Sequence, residues 1–143
     1  ELFDNVIPSS NSIMVWNLIH LGTHLYDDEL VSKGKSILAQ VKKLIVSEPE
    51  YMSNWGISGL EVSDKIAEII IVGPDALDYT NQLNQKFFPS KIISGTINES
   101  DKMPFQYKTT MNGKTTIYVC YDKSCKRPVT TVEEALDQLI VKN

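Results

Sequence analysis

Histidine and cysteine are scarce in this chain, with two of each among 143 residues. Two cysteines are too few for a disulfide-rich secreted scaffold, which leans the protein towards the cytoplasm. No apolar run approaches the roughly 18 residues that a membrane span needs, and no basic segment leads into an apolar stretch as a signal peptide would. Excess positive charge is also lacking. The net charge is −4, which argues against a general nucleic-acid binder. Internal repeats and low-complexity segments are absent.

What is present is an ordinary globular composition, 42% hydrophobic and 22% charged, in a chain long enough to bury a core without staples. The charge is unevenly placed. Residues 1–64 carry nine acids and four bases, residues 65–143 nine acids and ten bases. The chain begins Glu1-Leu2-Phe3-Asp4 with no methionine, and it reads as a piece of something longer.

The chain is organised around Glu68-Ile69-Ile70-Ile71-Val72-Gly73-Pro74-Asp75. Its run of β-branched residues, stopped by Gly-Pro, predicts a strand buried on both faces, and Asp75 offers a carboxylate to cap the helix that follows. Before this seam, residues 1–64 read as helical. Ser9 or Ser10 can cap a first helix over Ile13–Leu25, apolar on nearly every side and therefore expected to be buried all round. Asp27-Asp28-Glu29 opens a second, whose apolar stripe runs from Leu30 through Gly34, Leu38 and Val41 to Ile45, with a solvated lysine face opposite. Glu48-Pro49 ends it, and a third helix over Tyr51 to about Leu60 makes a helical hairpin assembly.

After the seam, residues 65–143 read as a βαβ unit. A strand over 66–72 leads to a helix from Asp75 to about Phe88, with Leu83 and Phe87 at core spacing. A second strand follows at Lys91–Gly95, parallel to the first. Asn112-Gly113 suggests a two-residue turn between Tyr107–Met111 and Lys114–Tyr121. Overlapping capping boxes at Thr130-Thr131-Val132-Glu133-Glu134 predict a last helix to about Val141, with Val132, Leu136, Leu139 and Ile140 facing one way. The fold class is thus α+β or α/β: an N-terminal helical hairpin, then a small, mostly parallel sheet with flanking helices.

Candidate chemistry is sparse. Cys120 and Cys125 can approach across a turn, and Lys123, Lys126 and Arg127 flank Cys125 and favour a thiolate. Thioredoxin-type enzymes instead space their cysteines by two residues at a helix start. A buried, inert Cys120 with a loop Cys125, or a structural disulfide, is the plainer alternative. His20 and His24 stand one helical turn apart and could share a metal, although no further ligand is adjacent in sequence and a hydrogen-bonded core histidine is the simpler reading. The Gly73-Pro74 turn lacks the G-x-G-x-x-G pattern of a dinucleotide site, and Pro74 removes an N–H. Asp4, Asn5, Ser9 and Asn11 lie in a polar opening loop of the kind that lines a pocket, against the alternative of simple capping.

These residues resemble a known family. Asp4-Asn5-Val6-Ile7-Pro8-Ser9-Ser10-Asn11-Ser12 is similar to the D-N-x-I-P-S-G-N-S motif of the thioredoxin-like spermatogenesis-associated protein 20 family, with Ser10 where glycine is usual. Glu68-Ile69-Ile70-Ile71-Val72-Gly73 and Phe88-Pro89-Ser90-Lys91 resemble its E-x-x-I-V-G and F-x-P-N-K segments. Gly113-Lys114, Tyr118-Val119-Cys120 through Cys125, and Pro128-Val129-Thr130 resemble its closing G-K…A-Y-V-C-x-x-x-x-C-x-x-P-V-T. The resemblance implies the C-terminal part of a protein with a thioredoxin-like domain and a six-hairpin α/α toroid similar to N-acylglucosamine 2-epimerases. Residues 1–64 would then be the end of the toroid and residues 65–143 an α/β appendage.

The first functional expectation is a structural, pocket-completing module with no catalysis, cofactor or metal of its own. The rest of the parent chain would be its partner, and a small molecule or sugar its ligand. Redox work by Cys120 and Cys125, a share in a carbohydrate-processing enzyme, and self-association through the apolar first helix are the alternatives. Neither nucleic acid nor membrane is an expected partner.

Overall fold

A computed structural model describes residues 1–99 and 108–139. The chain is α+β, a helical hairpin followed by a four-stranded mixed sheet with interleaved helices, and it divides into the units Glu1–Lys65 and Ile66–Asn143.

In the first unit, the extended Ser9 accepts the Ser12 amide on its hydroxyl at 3.1 Å, which starts helix α1 (Ser10–Leu25) before the apolar run begins. Tyr26 closes α1 in the left-handed region at φ 55°. Asp27 then caps α2 (Asp28–Ser47), its carboxylate accepting the Glu29 and Leu30 amides. This short link lays α1 and α2 side by side. Gly34, Leu38 and Val41 are buried and Lys33, Lys35, Lys42 and Lys43 are exposed, as the stripe requires. The helices approach closely at glycine. A Cβ on Gly34 would meet Ile19 Cγ1 at 2.7 Å, and one on Gly22 would meet Val31 Cγ2 at 2.8 Å.

Pro49 opens a 3-10 turn (Pro49–Tyr51) rather than a helix, so α3 runs later than expected, over Ser53–Asp64. It packs on α1 and α2 and carries Trp55 into the core.

Within this unit α1 is not buried all round. Val15 and Ile19 are inside, but Met14, Leu21 and Leu25 are 54%, 50% and 46% exposed. Two helical neighbours cover one side of a helix only, and the spacing of those three residues places them on one uncovered stripe.

In the second unit, β1 (Ala67–Val72) is buried at every residue. Gly73 follows at φ 132°, where a Cβ would lie 2.6 Å from Thr115 Cα. Asp75 does not cap α4 (Ala76–Asn84) with its side chain. Its carboxylate instead accepts the Thr115 hydroxyl at 2.8 Å, while its amide donates to that same oxygen at 2.9 Å. The helix also stops short of Phe88. Phe87 is consequently 94% exposed rather than in the core, and Phe88 packs inward in its place. Lys91 closes the helix end by donating from Nζ to the Leu83 and Lys86 carbonyls.

β2 (Lys91–Thr96) pairs in parallel with β1, from Ala67 opposite Lys91 to Val72 opposite Thr96. The expectation of a mostly parallel sheet does not hold. β3 (Thr116–Tyr121) lies antiparallel on the other side of β1, and β4 (Ser124–Cys125) antiparallel to β3, giving the order β2-β1-β3-β4. The physical reason is the connections. Among the described residues only α4 supplies a helical crossover, joining β1 to its neighbour β2, and the two-residue turn after β3 permits nothing but antiparallel pairing with β4.

Asn112 and Gly113 both take positive φ between the bridged Met111 and Lys114, the two-residue turn that Asn-Gly suggests. Tyr107, where the first strand flanking that turn is expected to begin, lies outside the described residues; residues 108–110 form no strand, and Met111 makes only the bridge. Helix α5 (Val132–Leu139) opens with Thr131 Oγ1 accepting the Glu134 amide at 3.3 Å and Glu134 Oε2 accepting the Thr130 amide at 3.4 Å. Ile140 and the expected end at Val141 lie outside the described residues. The core forms where Ile69, Ile71, Ile117 and Val119 of the sheet meet Leu83, Ala135 and Leu139 of the helices. Among the described residues no helix is long and apolar enough to cross a membrane.

Candidate functional site

The polar opening loop is built around Asp4. Its backbone amide donates to the Tyr51 carbonyl at 2.8 Å, which turns the side chain inward. One carboxylate oxygen accepts the Ser9 amide and the Ser12 hydroxyl, each at 2.9 Å, and the other accepts the Asn54 amide at 2.9 Å. Asp4 thereby ties the start of α1 to the start of α3, supplying from outside the cap that α3 lacks in its own sequence. Burial alone would raise the Asp4 pKa. The amides of Ser9 and Asn54, with the Ser12 hydroxyl and the Asn54 side chain, outweigh burial and hold it below the ordinary carboxylate value.

The other loop candidates separate into two kinds. Ser9 is buried in the same network, while Asn5 and Asn11 are exposed. Asn5 Oδ1 accepts the Val6 amide, and Asn11 Nδ2 donates to the Glu1 carbonyl at 2.7 Å. The four are thus neighbours in the chain, with Asp4 and Ser9 turned to internal partners and the two asparagines turned outward.

His20 meets Glu61 of α3, with Nε2 and Oε2 2.9 Å apart, and stacks on Trp16 with ring centroids 3.9 Å apart. Sequence reasoning singled out His20 but missed Glu61, which lies forty-one residues away. Among the described residues no three His, Cys, Asp or Glu side chains gather as a metal site would require.

The third cluster lies in the second unit. Asp122 and Lys123 take φ of 49° and 66°, the paired left-handed values of a tight hairpin turn. That turn sets Cys125 opposite Cys120. Because the Lys126 amide donates to the Val119 carbonyl at 2.9 Å, Cys120 and Cys125 form the neighbouring non-hydrogen-bonded pair, where side chains stand nearest. A disulfide joins them. Cys120 is fully buried and Cys125 half-buried.

Across β3 from Cys125, the next residue in the ladder is Glu68 of β1, directly opposite Cys120. Glu68 is 3% exposed. Its Oε1 accepts the Lys123 amide at 3.2 Å, and its Oε2 has no hydrogen-bond partner among the described residues. Glu68 was absent from the candidates read from sequence. The signal available was a carboxylate inside a strand expected to be buried on both faces. Compared with models of known protein families, with curated proteins and with solved structures, the chain matches none.

Proposed function

We propose that this chain is a structural module of a larger protein, the C-terminal part of a thioredoxin-like and toroid-bearing chain. In this role the stripe of α1 packs on further helices of the toroid. The single observation carrying the reading is that stripe: Met14, Leu21 and Leu25 stand half-exposed on one side of an otherwise well-capped helix, and apolar stripes of this kind mark surfaces that another element covers. The engagement of Asp4 supports a positioning role over a catalytic one. Asp4 and Ser9 fix the loop, and Asn5 and Asn11 are the groups it offers to a pocket completed by other segments, for a small molecule or sugar.

Purified chain incubated with N-acylated and simple hexoses, followed by carbohydrate chromatography, is the test. No epimerisation or hydrolysis is expected, and turnover by the isolated chain would overturn the reading. The Cys120–Cys125 bridge favours a second reading, a thiol–disulfide module. A bridge of this kind belongs either to an oxidising compartment or to a redox cycle, and with a cytoplasmic location the redox cycle is the consistent choice.

A further inference from the structure

The role of the buried carboxylate beside the disulfide deepens the thiol–disulfide reading above and rests on it. A buried polar atom without a partner costs free energy, and among the described residues Glu68 Oε2 is such an atom. Its residue faces Cys120 across the β1–β3 ladder, and directly opposed side chains stand about 4.5–5.5 Å apart at Cβ. Packing does not call for an acid here, since the same strand face continues with the buried Ile70 and Val72. Oε1 braces the turn through the Lys123 amide, which leaves Oε2 unused among the described residues. A thiol that must become a nucleophile gives that oxygen a use, because it has to lose its proton to a base first.

We propose that Cys120 and Cys125 form a thiol–disulfide exchange site for external dithiols, with Glu68 handling the proton of Cys120. Cys125 is the half-buried residue of the pair and Cys120 the fully buried one, so the incoming thiolate attacks Cys125 Sγ. A mixed disulfide forms there, the Cys120–Cys125 bond breaks, and Cys120 leaves with the electron pair and takes a proton by way of Glu68. The second thiol of the reagent then attacks the reagent's own sulfur in the mixed disulfide. Cys125 is released and protonated from water, and the reagent departs as its internal disulfide. The protein gains two electrons and two protons, which the dithiol loses. In the closing direction, the Glu68 carboxylate takes the Cys120 proton and the resulting thiolate attacks Cys125 Sγ in the mixed disulfide. The Cys125–reagent bond breaks, and the reagent's sulfur leaves with the electron pair as a thiolate protonated from water. Lys126 and Arg127, exposed directly after Cys125, favour the approach of an anionic thiolate.

The experiment uses the whole chain with dithiothreitol as reductant and its oxidised form as oxidant. The bridge is expected to open with the far-ultraviolet circular dichroism unchanged. Cys120→Ala is expected to capture a small disulfide reagent at Cys125, whereas Cys125→Ala leaves Cys120 unreactive in the folded protein. Glu68→Gln is expected to slow closure by about tenfold or more and to change the solvent deuterium isotope effect on that step, as the proton passes to water instead of the carboxylate, while alkylation of Cys125 keeps its rate. A purely structural Glu68 would not change the isotope effect. Equal closure rates and isotope effects in wild type and Glu68→Gln, opening only on unfolding, or a Cys120 as reactive as Cys125 would each overturn the proposal. Should Glu68→Gln fail to fold, the two cysteine variants and the wild-type isotope effect decide it. Absence of that effect in the wild type overturns the proposal.

Discussion

Asp4→Ala is expected to destabilise the helical unit by about 3 kcal/mol or more, since it strands the buried Ser9 amide and two further donors that the carboxylate now satisfies. The loss falls on two helix starts at once. Ser12 and Ser9 lose their anchor in α1, and Asn54 loses the cap of α3. Asp4→Asn keeps one acceptor oxygen and is expected to lose about half as much. Acid provides a second check. The native carboxyl titrates below its unfolded value of about 3.9, so its contribution is complete above that value and disappears as pH falls through the native pKa. Urea unfolding of both proteins at neutral pH and in acid measures this. The gap between wild type and Asp4→Asn should narrow on acidification, and a gap that does not change with pH would contradict the assignment.

Gly73→Ala is expected to cost about 3 kcal/mol or more, because two penalties coincide. The backbone sits at φ 132°, a conformation that side-chain-bearing residues rarely adopt, and the new Cβ would lie 2.6 Å from the Thr115 Cα. That neighbour is backbone and cannot swing aside. It also belongs to the segment whose Thr115 hydroxyl bonds both the carboxylate and the amide of Asp75, so a shift there loosens the start of α4 as well. Gly113→Ala is the control. It too has positive φ, at 71°, but among the described residues the added Cβ meets nothing within 4 Å, and the loss should be about 1–2 kcal/mol. Thermal unfolding followed by circular dichroism compares the two. Similar losses would show that backbone conformation alone, and not the contact with Thr115, governs Gly73.

Both residues show where sequence reasoning reaches and where it stops. The buried strand before Gly73, a cap at Ser9 or Ser10, the acidic helix start at Asp27-Asp28-Glu29 and the Asn112-Gly113 turn are local features, and local chemistry is written in neighbouring residues. Asp4 was legible as polar and close to a helix start. Its partner Asn54 lies fifty residues away, so a candidate pocket residue and a structural clamp look the same in one dimension. Asp75 fails as a cap for a similar reason, because Thr115, forty residues distant, competes for its carboxylate.

Strand direction was the larger omission. The apolar run of β3 is the same whichever way it pairs with β1, and the Asn112-Gly113 and Asp122-Lys123 turns hint at antiparallel partners only for its two ends. Phe87 is a smaller case. Helical spacing placed it with Leu83, but the helix ends at Asn84, and once the period breaks, the next aromatic takes the buried place. Family resemblance did not bear on any of these details.

The stripe on α1 is the point on which the account rests. Sedimentation equilibrium of the free chain, from low to high micromolar concentration, tests it with and without the paired substitutions Met14→Glu and Leu21→Glu. A docking face left uncovered requires reversible, concentration-dependent association of the wild type, and requires the doubly substituted chain to be monomeric with unchanged helicity. A wild type that is monomeric throughout, or association that survives both charges, would contradict it.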